Sequence, residues 1–147
     1  MKIKLIALLL FLLFFINSNA QQWKSSFEAA KQEAKEKNRR ILLVFSGSDW
    51  CGPCIKLDKN VWQSADFNKY AKDNYVMYRA DFPKKKANQL SEDLRKQNLA
   101  LAEKYNQDGN FPYVLLLDKE EKVLGVLGYL SLDGYEYLDK IKDLEKQ

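Results

Sequence analysis

The chain has 147 residues, 46% hydrophobic, 13% aromatic and 30% charged, an ordinary globular balance with enough length for one domain and a core. Its formal charge of +4 is modest and interspersed along the chain, which argues against a polyanion-binding field and a nucleic-acid partner. Histidine is absent and only two cysteines occur, which excludes Ser-His-Asp and Cys-His catalysis, histidine-ligated metal or haem, and a four-cysteine zinc site built by this chain alone.

Lys2 and Lys4 open the chain, Leu5 to Ile16 is an unbroken apolar run, and Ser18 and Ala20 are small residues spaced as a signal peptidase requires. Residues 1–20 therefore read as a cleaved secretory signal, and 21–147 as the mature domain. An uncleaved anchor is the alternative, although the run is short for a spanning helix. No later segment is long and apolar enough to cross a bilayer. The mature domain is expected to be periplasmic or secreted, monomeric, and without stable membrane insertion. Outside the cytosol thiols meet oxidants and disulfides persist. Cys51 and Cys54 must then pair with each other, react with a partner protein, or do both.

Ser25 to Lys37 reads as a helix, with Ser25 and Glu28 as a capping box and Phe27, Ala30 and Ala34 on one face. Ile41 to Phe45 is a continuous apolar run that suits a strand buried on both faces. Ser46 to Asp49 break it, and a helix follows from the cysteine motif to about Lys59. A second short helix starts at Ser64, with Phe67 and Tyr70 turned inward. Tyr75 to Asp81 reads as a strand, and Pro83 to Tyr105 as largely helical with a stripe of Leu90, Leu94, Leu101 and Tyr105. Tyr113 to Leu117 is a further buried strand, the polar turn Asp118 to Glu121 follows, and Val123 to Leu127 is its hairpin partner. Ser131 opens a last helix that buries Leu138, Ile141 and Leu144, with Asp133 and Glu136 near its positive end. Alternating helices and apolar strands closed by a ββ pair imply an α/β sandwich around a mixed sheet.

The chemistry sits at Trp50-Cys51-Gly52-Pro53-Cys54, directly after a buried strand and at the start of a helix. Two intervening residues on a first helical turn bring both sulfurs to one side. Cys51 lies beside unpaired backbone N–H groups and the positive end of the helix, which stabilise a thiolate, the attacking species in disulfide exchange. Pro53 suits the first turn, where its missing N–H is not needed. Gly52 leaves room for another backbone, and Trp50 offers an apolar shield. Three bland readings compete. A zinc knuckle lacks its second ligand pair, haem attachment needs a histidine where Ile55 stands, and a structural disulfide closing so small a loop confers less stabilisation than a long one.

The run from Trp50 to Cys54 resembles the thioredoxin active site residue for residue, and Phe111-Pro112 before an apolar strand resembles the thioredoxin cis-proline. The element order is similar over nearly all of residues 21–147. The resemblance implies a three-layer thioredoxin-like sandwich, a mixed central sheet with helices on both faces, and no cofactor or metal. It implies that Cys51 is the exposed nucleophile, that Cys54 is the buried resolving thiol, and that the two form a redox-active disulfide. It further implies a cis Phe111–Pro112 bond facing the sulfurs, with Trp50, Gly52, Pro53, Phe111 and Pro112 meeting an extended substrate.

Two departures stand out. Thioredoxins carry a buried aspartate on the strand before the motif, where this chain has Phe45 or Val44, neither able to relay a proton. Asp49 and Asp81 read as surface or strand-end residues. The position before the proline, commonly threonine, is Phe111. Lys84 to Lys86 read as a solvated helix start, Trp62 as packing below the active-site helix, and Tyr129, Tyr135 and Tyr137 as core or interface edges. The expected function is an exported oxidoreductase that reduces protein disulfides and draws electrons from a membrane thiol donor. Isomerisation or oxidation would use the same atoms. A non-catalytic adaptor or holdase that grips extended chains through Trp50 and Phe111 is the alternative. A thiol peroxidase would need a peroxide-activating Thr/Arg environment that the sequence does not reveal.

Overall fold

A strand with no polar face needs cover on both sides, and β1 (Arg40–Ser46) receives it at the centre of a four-stranded sheet. The computed structural model describes residues 23–146; the proposed signal segment 1–20 lies outside the described residues. The sheet order is β2-β1-β3-β4, with β2 (Tyr75–Asp81) parallel to β1 and β3 (Tyr113–Leu117) antiparallel to it. β4 (Val123–Leu127) closes the hairpin with a register shift between Leu116 and Leu117. Beyond β2, Trp23 bridges to Met77, so the start of the described chain lies along that edge.

Successive β1 side chains point to opposite faces and separate two cores. Leu42 and Val44 join Leu57, Val61, Trp62, Phe67, Tyr137 and Ile141 on one face. These come from α2 (Gly52–Leu57), a π-helical turn at Asp58–Trp62, α3 (Ala65–Asn74) and α5 (Gly134–Leu144). Ile41, Leu43 and Phe45 join Phe27, Ala30 and Ala34 of α1 (Phe27–Lys37) and Leu101 of α4 (Glu92–Tyr105) on the other. The expected three-layer arrangement of a mixed sheet between helices is the observed one.

The boundaries differ where neighbouring residues offer the same chemistry. The N-cap of α1 is Ser26, whose Oγ accepts the Ala29 N–H at 3.1 Å, and not Ser25; Glu28 turns outward to pair with Lys31 at 2.7 Å. Asp133, not Ser131, caps α5, in a reciprocal box with Glu136. Leu144 is only half-buried, but it lies so close over β4 that a Cβ on Gly125 would stand 2.7 Å from its Cδ2. Tyr70 is half-buried rather than turned fully inward, and its ring is 5.7 Å from that of Tyr75.

The stretch from Pro83 to Ser91 is not helical apart from one 3-10 turn at Lys86–Asn88. The reason is tertiary: the Asp49 carboxylate accepts the backbone N–H groups of Lys84 and Lys85, both at 2.9 Å, and fixes this segment as a loop. Leu90 and Leu94 are half-buried, and the buried face of α4 holds Asn98 beside Leu101.

Candidate active site

β1 ends at Ser46, and the chain turns sharply because the Gly47 carbonyl accepts the N–H groups of both Trp50 (3.2 Å) and Cys51 (2.9 Å). Gly47 has no room for a side chain, since a Cβ there would lie 2.3 Å from Cε2 of the Trp50 indole. Trp50 Nε1 donates to the Phe82 carbonyl at 2.7 Å, and the indole packs edge-on against Phe111 with centroids 5.5 Å apart. Phe82 packs on Phe111 at the same distance, and Lys84 Nζ stands 4.0 Å above the indole. Lys84 is therefore no helix start but part of an aromatic wall that leaves Trp50 38% exposed.

Behind that wall, the two acids near the motif are occupied by backbone. Asp49 accepts from Lys84 N–H, Lys85 N–H and the Asn88 side chain, and the Lys84 amide above all, then Asn88 and Lys85, holds its carboxyl below the usual carboxylate range. Asp81, at the end of β2, accepts the Ser48 N–H at 2.9 Å and its hydroxyl at 2.5 Å. Both carboxylates clamp the turn.

Cys51 is the N-cap of α2. Its backbone is extended, Pro53 sits in the first turn, and its sulfur accepts the Cys54 N–H at 3.3 Å. Cys51 and Cys54 are joined in a disulfide with Cα atoms 5.2 Å apart. The expected difference in access is not seen in this form: Cys51 is 5% exposed and Cys54 3%. The first sulfur is folded back against the helical turn that donates to it and is bonded to the second. Gly52 and Pro53 are exposed, and the space a side chain would fill at Gly52 is open to 4 Å. The Phe111–Pro112 bond is cis, as expected, with Phe111 half-buried and Pro112 buried.

The two candidates for the missing acid point opposite ways. Val44 packs on the face that carries α2, and Phe45 on the other, where its ring lies 6.5 Å from Phe82 and 6.4 Å from Tyr113. Neither can take a proton. Trp62 is buried at 4.9 Å from Phe67 and 5.5 Å from Tyr137, in the core cluster that also holds Leu57 of α2. Tyr137 is core, Tyr129 half-buried and Tyr135 exposed.

Sequence reasoning missed one feature beside Cys54. Asp58, one helical turn further on, forms an ion pair with Arg79 of β2, whose guanidinium lies 4.3 Å over the Trp23 ring. Gln63 Nε2 donates to the other Asp58 oxygen at 2.5 Å. Cys54, Ile55, Asp58, Arg79, Ser46 and Ser48 line one small crevice of about 80 Å³. The available signal was the i,i+4 spacing of Cys54 and Asp58, which puts both on one helix face.

The profile of a family described as thioredoxin-like matches residues 22–119. A protein named disulfide bond reductase DsbH, from Chlamydia pneumoniae, is 36% identical over 125 residues, which cover 85% of this chain and 73% of that one. The solved structure of a DsbH oxidoreductase superposes with a TM-score of 0.78 at 34% identity, covering 85% of this chain and 84% of the other. A thioredoxin from Thermus thermophilus shares the fold at a TM-score of 0.64 and 15% identity, over 85% of this chain and 87% of its own. The chain belongs to the thioredoxin-like family. Within that family, its Cys51–Cys54 pair at the head of a helix makes it a protein-disulfide oxidoreductase.

Proposed function

We propose that the protein is an exported reductase of protein disulfides, with residues 1–20 as its cleaved signal and 21–147 as a monomeric periplasmic or secreted domain. The observation that carries the mechanism is the Cys51 sulfur at the helix N-cap, accepting an amide proton from Cys54. In the reduced protein that amide and the dipole of the turn favour a Cys51 thiolate. The thiolate attacks one sulfur of a client disulfide, forms a mixed disulfide and releases the other client sulfur as a thiolate, which takes up a proton. Cys54 then loses its proton and attacks Cys51, closing the enzyme disulfide and freeing the second client sulfur. The client gains two electrons from the enzyme dithiol, and the two protons it takes up from solvent balance the two that Cys51 and Cys54 release. A membrane thiol donor restores the dithiol by the reverse exchange.

The client strand lies over Gly52 and Pro53, where the surface is open, and along the backbone of Phe111 and Pro112, with Trp50 as an apolar contact. The direction rests on Gly-Pro between the cysteines, as in reducing thioredoxins, and on the name of the Chlamydia relative. No helix among the described residues is long and apolar enough to cross a membrane. In an insulin-reduction assay the wild type is expected to be active and Cys51→Ser inactive, while Cys54→Ser accumulates clients as mixed disulfides on Cys51. Wild-type activity no greater than that of Cys51→Ser rejects the reductase. The exposed Trp50, set edge-on against Phe111, also supports the adaptor reading. Client binding that survives loss of both cysteines would favour it.

A further inference from the structure

The resolving step has a chemical requirement that the strand residues do not meet. Cys54 is 3% exposed with the pair oxidised, and a thiol attacks only as a thiolate, so a group beside it that takes its proton speeds the resolving step. The β1 side chains Val44 and Phe45 are hydrocarbon, and among the residues that line the crevice beside Cys54 the carboxylate is Asp58, with Asp49 and Asp81 outside it. We propose that Asp58 is the proton acceptor for Cys54, reached along the crevice they share, and that Arg79 is the residue that positions it. The proposal rests on the thiol–disulfide reading above.

Three observations carry it. Asp58 follows Cys54 by one turn, its N–H bonded to the Cys54 carbonyl, which sets both side chains on one side of the helix. Both side chains line one crevice of about 80 Å³, large enough to admit water between them. Asp58 is also anchored from three elements: Arg79 on β2 pairs with one oxygen, Gln63 after the π turn donates to the other, and Trp23 covers the guanidinium. A π turn begins at this residue, a departure from α geometry that is frequent at functional sites.

The charged groups at the crevice are Asp58 from the active-site helix and Arg79 from β2, while β1 and its turn contribute only the hydroxyls of Ser46 and Ser48. Asp81, further along β2, faces Ser48. In the resolving step the Cys54 S–H proton passes to the Asp58 carboxylate. The Cys54 electron pair forms the bond to Cys51 Sγ, and the Cys51–client S–S bond breaks toward the client. The client thiolate is then protonated, and Asp58 returns its proton to solvent. When a donor dithiol reduces the enzyme, the same carboxyl gives a proton back to Cys54.

The test separates the two chemical steps. The reduced full chain is mixed with excess 5,5′-dithiobis(2-nitrobenzoate), which releases one coloured thiolate when Cys51 attacks and a second when Cys54 resolves, and both phases are followed from pH 5.5 to 9.5. Asp58→Asn is expected to leave the first phase unchanged and to slow the second roughly tenfold near pH 6.5. That is below the roughly hundredfold effect of a fully enclosed base, since water can reach the crevice. The deficit should vanish above about pH 9, where hydroxide can deprotonate the thiol without help. Asp58→Glu is expected to restore the second phase, and Arg79→Gln to slow it less than Asp58→Asn does. A second phase of Asp58→Asn with the wild-type rate and pH profile overturns the proposal. So does a slowing of both phases by one factor at every pH, the mark of a structural defect. If Asp58→Asn does not fold, Arg79→Gln decides: a second phase with the wild-type rate and pH profile overturns it. Absence of a Cys51-dependent first phase in the wild type would instead sink the oxidoreductase mechanism itself.

Discussion

The two faces of the sheet are built from different materials. The face beneath the active-site helix is packed mostly with aromatic and aliphatic side chains, with Trp62 between Phe67 and Tyr137, and its buried Asn68 amide and Tyr137 hydroxyl donate to backbone carbonyls no more than nine residues away. The opposite face adds a buried polar latch to its hydrocarbon. The Tyr78 hydroxyl donates to Asn98 Oδ1 at 2.6 Å and accepts from Gln97 Nε2 at 2.6 Å, while Asn98 Nδ2 donates to the Asp81 carbonyl at 3.1 Å. Gln97 also accepts the Phe27 N–H at 3.2 Å, tying α4 to α1. Close packing transmits any change of volume to its neighbours, whereas a hydrogen-bonded latch fails locally and leaves unpaired atoms behind. The active-site helix therefore stands on the face whose errors spread.

The contrast can be broken by substitution. The largest effect belongs to Trp62→Ala, expected to cost about 3–5 kcal/mol through lost burial and a cavity beneath α2. Urea unfolding should show the shift, and disulfide reduction should fall with it even where the protein remains folded. Asn98→Ala strands the Asp81 carbonyl and the Tyr78 hydroxyl and should cost about 1–3 kcal/mol in the same titration, with the reduction rate of the folded protein close to wild type. Loss of activity in Asn98→Ala at full folding, or its retention in Trp62→Ala, would erase the distinction between the faces.

The smallest effect sharpens the comparison through pH. Burial, opposed by the Gln97 hydrogen bond, pushes the Tyr78 hydroxyl up to about 12 from the usual 10.0. The folded state thus keeps a proton that the unfolded chain releases, so this group's contribution is complete below pH 10 and is lost as pH rises toward 12. Tyr78→Phe should flatten the fall in stability over that window, as read by thermal melting at stepped pH. An unchanged slope would mean that the latch opens before the tyrosine ionises.

Which of these features could be read beforehand follows from the range of the forces involved. β1 was legible because a strand covered on both sides needs an unbroken apolar run, and Ile41 to Phe45 supplies one. The cysteine turn and the Phe111–Pro112 bond were legible as motifs. The α1 and α5 caps slipped by one or two residues because Ser25 and Ser26, or Ser131 and Asp133, offer similar oxygens, and only the three-dimensional path of the chain chooses between them. The loop after β2 was misread as helix because its geometry is set by Asp49, 35 residues earlier along the chain. The Asp58–Arg79 pair was hidden for the same reason, since its members sit on separate elements 21 residues apart. Asn98 broke the apolar stripe of α4 because a buried amide is tolerated only where Tyr78 and Asp81 await it.

The bare backbone at Gly47 places a constraint on how this sequence can drift. The indole of Trp50 occupies the volume where a methyl group at position 47 would go. The two sites are thus bound in their histories: a side chain at position 47 requires the ring to leave its present place, so a change at one is felt at the other.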